Sequence, residues 1–252
     1  MCEINEKKVT ENILFPGIGA CGCIKPLPMG NTAIVGTHSM VDSLLYSMIA
    51  RIVEYTNPDK VRVWFHSCKE ENDNPFDANP NRMCPHVERT SLQCREIGAT
   101  LDEWMSLGYD KAHNECDDDQ THILVFDGLY EVESEDIRGL VEGFINLADY
   151  KKGKCYVILP VVTENDVKGI PNLDYVMSIC GDDITVTTAN GRESRYKAWN
   201  INRNVINKIA KVFSVPRHIS ARYCRVSPYG GSLVQTALRL RAANDKVNSY
   251  QE

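Results

Sequence analysis

Short apolar runs alternate with amphipathic stretches over the first two thirds of the chain, and this alternation limits the possible folds more than any other feature. Ala33-Ile34-Val35 leads into a stretch of helical periodicity from about Met40 to Glu54, then into Val61-Arg62-Val63-Trp64-Phe65. Strand, helix and strand in that order form a unit whose strands run parallel. A second helical stretch near 91–107 precedes His122-Ile123-Leu124-Val125-Phe126, a helix near 135–149 follows, and the apolar run from Cys155 to Val162 comes next. Continuous apolar strands separated by helices predict an α/β protein, a mainly parallel sheet with helices on both faces.

Beyond Pro171 the rhythm changes. Residues 175–180, 184–189 and 195–199 are three strand-like runs in quick succession, divided by Gly181-Asp182-Asp183 and by Asn190-Gly191, a good hairpin turn. Asn200 has the character of an N-cap for a helix reaching about Phe213, and Ser232 opens a last helix toward Ala243. Asn, Asp and Pro crowd into 68–84, which is expected to be a loop. With no repeat or low-complexity linker, the expectation is one domain over 1–252, with a core at about 10–185 and a basic part at 186–252.

At 43% hydrophobic and 25% charged residues, the 252-residue chain can bury a sizeable core. It holds no apolar run near the roughly 18 residues of a membrane span. Its first ten residues lack the basic and apolar regions of a secretory signal, so the expected location is the cytoplasm. The ten cysteines are scattered rather than clustered, and the expectation is that they are thiols, mostly buried.

The net charge of −6 hides an asymmetry. Residues 1–183 carry 16 basic and 31 acidic side chains, whereas 184–252 carry 12 basic and 3 acidic. Arg192, Arg195, Lys197, Arg203, Lys208, Lys211, Arg217, Arg222, Arg225, Arg239 and Arg241 suit a nucleic-acid backbone or an acidic protein partner. They equally suit packing against the acidic remainder of the chain or of a neighbouring copy.

Two glycine-containing segments invite a nucleotide reading. Gly17-Ile18-Gly19-Ala20-Cys21-Gly22 matches GxGxxG literally, but that fingerprint must open a helix, and Pro26 and Pro28 forbid one. The segment Gly36-Thr37-His38-Ser39-Met40-Val41-Asp42-Ser43 has the right context, following a strand and opening a helix where a GxxxxGK[ST] phosphate loop belongs. Its ends, Gly36 and Ser43, fit that pattern. Val41 replaces the second glycine and resists the backbone turn that aims amides at phosphate. Asp42 replaces the lysine, and a carboxylate there repels the β and γ phosphates. His38 is a loop histidine able to donate to an anion, and Ser43 is either a magnesium ligand or a serine of the helix's first turn.

At these residues the chain resembles the motor domains of the FtsK/SpoIIIE family of P-loop translocases and the related EssC/EccC ATPases of type VII secretion. Asn57-Pro58-Asp59-Lys60-Val61-Arg62-Val63 resembles the family's turn and following strand, Cys84-Pro85-His86-Val87 its PHV segment, and His122 to Asp127 its Walker B strand. The run from Cys155 to Pro171 resembles the strand that ends in a polar sensor. The resemblance spans about residues 10–185 and implies a RecA-like P-loop fold, with rings whose sites lie between neighbouring copies. It also implies that Asp127 is the surviving Walker B aspartate, although that residue can equally cap the next turn.

The departures fall on the chemistry. The lysine position is Asp42, the catalytic glutamate position is Gly128, and the sensor strand ends in Leu159-Pro160-Val161. Positioning and electrostatic stabilisation of phosphoryl transfer are lost together. The expectation is a degenerate motor domain without ATP hydrolysis and with at most weak Mg-ATP binding. It would act as a structural, regulatory or substrate-recognition module beside other motor domains or further copies of itself. A diverged ATPase that moves DNA or protein is the alternative, and a nucleic-acid module using the basic quarter is a third. Restoring Val41→Gly with Asp42→Lys is expected to regain nucleotide binding if the rest of the loop is intact.

Other chemistries have weaker signals. Zinc would combine Cys84-X-His86 with His113-X-X-Cys116, or use Cys21-X-Cys23, but paired ligand spacing is nearly absent, so no metal site is expected. Cys84 and His86 are the only neighbours with the makings of a thiol hydrolase, and side chains two apart in a strand do not face each other as nucleophile and base must. Asp117-Asp118-Asp119 reads as a solvated turn. Trp64, Trp104 and Trp199 read as core or interface residues.

Overall fold

The computed structural model describes residues 13–58, 60–67, 76, 82–84, 86–89, 97–113, 119–128, 152–161, 163, 167–168, 170–199 and 203–216. Twelve strands and three helices are described. The strands are β1 (Ile13–Leu14), β2 (Leu27–Pro28), β3 (Thr32–Val35), β4 (Val61–Ser67), β5 (Arg82–Met83), β6 (Val87–Arg89), β7 (Thr121–Asp127), β8 (Cys155–Val161), β9 (Tyr175–Cys180), β10 (Asp183–Thr188), β11 (Glu193–Lys197) and β12 (Val215–Pro216). The helices are α1 (His38–Tyr55), α2 (Ile97–Ala112) and α3 (Arg203–Val212).

Eight strands form one sheet in the order β11-β10-β9-β3-β8-β7-β4-β6. The six from β9 to β6 are mutually parallel, and β10 and β11 extend the sheet antiparallel. From β3 the chain crosses over two strands to β4 through α1, and from β6 it returns to β7 through α2. Right-handed crossovers in opposite directions set their helices on opposite faces.

The burial pattern agrees with two covered faces. Val61, Val63, Phe65, Ile123, Val125 and Ile158 join the α1 side chains Leu45, Met48, Ile49 and Ile52 in one buried cluster. The alternating residues Trp64, Leu124, Phe126, Val157 and Leu159 are also buried, but outside that cluster, and so is Trp104 of α2. This is the period of two expected of a sheet covered on each side. On the second face Trp64 Nε1 donates to His122 Nδ1 at 2.9 Å, which satisfies two buried polar groups together. The helix α3 packs on α1 through Ile206 and Ala210.

Several expectations need correction. The helix expected from Asn200 to about Phe213 is described over Arg203–Val212, and residues 200–202 lie outside the described residues. The helix expected near 91–107 is described over Ile97–Ala112 and so extends further at its C-terminal end, while 91–96 lie outside the described residues. The segment 68–84 is not loop throughout, because Arg82 and Met83 pair with Pro216 and Val215. The second hairpin closes through the three residues Ala189-Asn190-Gly191: Thr188 N–H bonds Arg192 O, and Gly191 N–H bonds Thr188 O. That is a type I turn ending in a glycine of positive φ, rather than a two-residue Asn-Gly turn. Among the described cysteines, Cys84 and Cys155 are buried, but Cys21, Cys23 and Cys180 are not. The helices expected at 135–149 and 232–243 fall outside the described residues.

Candidate functional site

In an open parallel sheet, ligands bind beyond the carboxyl ends of the strands where the order reverses. Here that point lies at the end of β3, which has β9 on one side and β8 on the other. Gly36 and Thr37 follow it, and Asp127 ends β7, with β8 between.

The candidate phosphate segment is short of loop. Only Gly36 and Thr37 separate β3 from α1, so His38, Ser39, Met40, Val41, Asp42 and Ser43 are all helical. The amides of Met40 and Val41 already bond Thr37 O at 3.0 and 2.9 Å. Thr37 occupies the N-cap position without a side-chain capping bond. His38, Ser39 and Ser43 are exposed, Asp42 is half-buried, and Val41 is buried in the cluster beneath α1. Gly36 has a reason of its own, since a Cβ there would stand 2.4 Å from Ile179 Cγ2 and 3.1 Å from Ile179 O. Close packing of the β3–α1 turn on β9 requires glycine at this position whatever binds nearby.

Asp127 is 1% exposed. Its Oδ2 accepts from the Tyr46 hydroxyl at 2.9 Å and from the Ser67 hydroxyl at 3.5 Å. Ser67 is its register partner on β4, and Tyr46 lies three residues after Ser43 on α1, its ring stacked on Phe65 with centroids 6.1 Å apart. In a working P-loop motor the magnesium ion bridges the loop serine and the Walker B aspartate. Here the aspartate oxygen is bonded to the tyrosine one turn further along the same helix. Tyr46 and Ser67 were not legible as site residues. The available signal was a phenol on the core-facing stripe of an amphipathic helix, because a buried hydroxyl finds a partner.

Gly128 follows Asp127 with φ +73°. A glutamate at that position would hold a conformation that side chains resist. In β8, Pro160 sits opposite Ile34 of β3, and the β7–β8 register ends at Val125–Ile158, ahead of it. Proline has no N–H to offer the ladder, so a central strand tolerates it only where pairing is already ending.

The remaining candidates are placed as follows. Cys84 is fully buried, and burial pushes its thiol up to about 12, far from a thiolate at neutral pH. His86 is buried, its Nε2–H donates to Thr56 O at 3.0 Å, and burial lowers its pKa to about 4. His113 stacks on Tyr109, and Cys116 lies outside the described residues. Among the described residues no three His, Cys, Asp or Glu side chains gather as metal ligands. Asp119 is ion-paired with Lys60 and Lys154 at the opposite end of the sheet, and those two lysines hold its carboxyl below the usual range. Trp64, Trp104 and Trp199 are all buried, and Arg51 covers the Trp199 ring at 3.6 Å. Of the basic residues, Arg192, Arg195, Lys197, Arg203, Lys208 and Lys211 are exposed, and Lys197 is paired with Asp183 at 2.6 Å. Arg217, Arg222 and Arg225 lie outside the described residues.

No protein-family model and no curated protein matches the chain. Solved structures do. The cytoplasmic domain of the type VII secretion ATPase EccC of Thermomonospora curvata aligns over 81% of this chain and 31% of its own, at 14% identity and a TM-score of 0.56. EssC (ATPases 2 and 3) from Geobacillus thermodenitrificans aligns over 82% and 50%, at 10% identity and a TM-score of 0.57. EccC (ATPases 2 and 3) of T. curvata in complex with a signal sequence peptide aligns over 75% and 44%, at 11% identity and a TM-score of 0.58. The fold is that of type VII secretion ATPase domains. It is the mainly parallel α/β arrangement expected from the strand and helix order and the RecA-like fold that the resemblance implies, and the chain spans between about a third and a half of the length of these structures. Among the described residues no helix is long and apolar enough to cross a membrane.

Proposed function

We propose that this chain is a pseudo-ATPase: a motor-type domain that does not hydrolyse ATP and serves a translocation or secretion machine as a structural, regulatory or substrate-recognition module. The observation that carries this reading is the two-residue connection between β3 and α1. A phosphate loop needs several consecutive amides turned toward the ligand, and here the corresponding residues are helical, with Asp42 where a cation belongs. Three further features support it. Asp127 is bonded to Tyr46, Gly128 stands at the glutamate position, and β8 ends in apolar residues and proline. The residues present do not fit Mg-ATP, and no step through a bound nucleotide follows from them.

Protein rather than DNA is the favoured cargo or partner, because a similarly folded EccC fragment is described with a signal sequence peptide bound. The test is calorimetric titration of the unmodified protein with Mg-ATP, followed by a phosphate-release assay. The expected result is no binding in the micromolar range and no turnover. Micromolar binding with turnover at an ordinary motor rate would overturn the reading in favour of a diverged ATPase whose missing cation comes from elsewhere.

A further inference from the structure

On the flank of the sheet, residues 18–24 fold into a tight hairpin. Ile18 pairs with Lys197 of β11 on one side and with Ile24 on the other. Gly19 N–H bonds Cys23 O and Gly22 N–H bonds Gly19 O, both at 2.9 Å. The tip therefore carries two cysteines separated by one glycine, Cys21-Gly22-Cys23. Gly22 has φ +76°, and no atom lies within 4 Å of the place a Cβ would occupy. The turn is thus open to solvent and needs glycine for its backbone, not for its packing.

Cys84 and Cys155 are buried, whereas Cys21 is exposed and Cys23 partly so. Cys180 is also exposed, but of the described thiols only Cys21 and Cys23 share one turn. The Cys23 thiol reaches Cys21 O at 3.8 Å. Cys23, with a smaller contribution from Lys25, holds the pKa of the Cys21 thiol below its ordinary value. Cys21 is the exposed sulfur, and Cys23 follows two residues along the same turn. Bridging is geometrically open, since residues two apart lie within about 7 Å of each other and a disulfide spans Cα separations of about 4.4–6.8 Å.

We propose that Cys21-Gly22-Cys23 is a thiol–disulfide exchange site whose substrate is a low-molecular-weight disulfide. The Cys21 thiolate attacks one sulfur of the substrate, the substrate S–S bond breaks, and the other half leaves as a thiolate that takes up a proton. Cys23 then gives up its proton and attacks the Cys21 sulfur, closing the protein disulfide and expelling the second half as a thiol. Two protein thiols and one substrate disulfide become one protein disulfide and two small thiols, so atoms and electrons balance. A small dithiol in excess runs the exchange backwards. The site goes beyond the pseudo-ATPase reading and does not rest on it. The Ile18–Lys197–Asp183–Cys180 row of pairings puts the hairpin four strand spacings, about 19 Å, from β3 along the same sheet edge.

The test uses the unmodified chain in glutathione buffers from fully reduced to fully oxidised, quenched by alkylation and digested with trypsin. The fragment 9–51 holds Cys21 and Cys23 and no other cysteine. The expected product is this fragment about 2 Da lighter than its dithiol form, without alkyl groups or glutathione. Cys23→Ser should stop the reaction at a mixed disulfide on Cys21. Gly22→Val, which strains the turn while keeping both sulfurs, should shift the product from ring to mixed disulfide. In a timed alkylation Cys21 should react severalfold faster than the exposed Cys180. The proposal fails if the fragment keeps two alkylatable thiols in fully oxidised buffer, if it carries two glutathiones, or if Cys21 and Cys180 react at equal rates.

Discussion

A carboxylate that is 1% exposed has to be met by donors, and the Tyr46 hydroxyl at 2.9 Å meets Asp127 from the helix while Ser67 meets it from the neighbouring strand. Tyr46→Phe removes the shorter bond and leaves the ring in place against Phe65. It should cost about 1–3 kcal/mol in urea unfolding, the range for depriving a buried acceptor of its donor. Ser67→Ala, at 3.5 Å, should cost less. Equal stability of Tyr46→Phe and the parent would remove Tyr46 from the account of this site. Two buried histidines give the molecule a pH dependence as well. Burial holds His66 and His86 at about 4, below the usual 6.5 of an imidazole. Between those values the unfolded chain binds more protons than the folded one, so stability present above pH 6.5 is lost as the pH falls toward 4. Urea midpoints across that window should drop steadily, and His86→Gln should flatten part of the slope. A midpoint constant from pH 7 to pH 4 would mean that neither histidine is held neutral by the fold.

At the scale of elements, the start of α1 decides most. Gly36→Ala places a methyl 2.4 Å from Ile179 Cγ2. Overpacking of this kind costs about 1–3 kcal/mol, and Ile179→Ala should recover part of the loss in the double variant because it removes the struck atom. If the two losses simply add, the contact is not the reason for the glycine. The paired change Val41→Gly with Asp42→Lys was expected to regain nucleotide binding only with an intact loop. With these positions helical and Val41 in the core, the double variant should lose thermal stability and still show no Mg-ATP binding by calorimetry. Binding would mean that the β3–α1 connection opens. The strands were legible because apolar runs such as Ile123 to Phe126 declare themselves locally. The shortness of the loop was not legible, since helical periodicity starts at about Met40 and His38 before it reads as a loop residue, whereas α1 begins at His38. Nor was the Tyr46–Asp127 bond, since its partners lie 81 residues apart and only the sheet order brings them together.

At the scale of the whole molecule, the sheet order places β8 between the strand that leads to Gly36 and the strand that ends in Asp127, and the similarity to type VII secretion ATPase domains extends over 75–82% of the chain in the three alignments. The charge asymmetry suits either a partner or the acidic remainder of the chain itself. On β11 the residues Glu193, Arg195 and Lys197 are exposed and share one face by strand periodicity, with Lys197 bonded to Asp183. A face of one acid and two bases, with one of the bases already paired to Asp183, tracks a phosphate backbone poorly. On α3, by contrast, Arg203, Lys208 and Lys211 are exposed on a helix that carries no acid. Fluorescence anisotropy with labelled duplex DNA should show binding no tighter than the nonspecific range of about 10⁻⁴–10⁻⁶ M at physiological salt. Raising the salt from 50 to 200 mM distinguishes the two cases. An affinity that falls by about a thousandfold or more would count six or more phosphate contacts and would raise the nucleic-acid reading from third place to first, with Arg217, Arg222 and Arg225 as the first residues to replace.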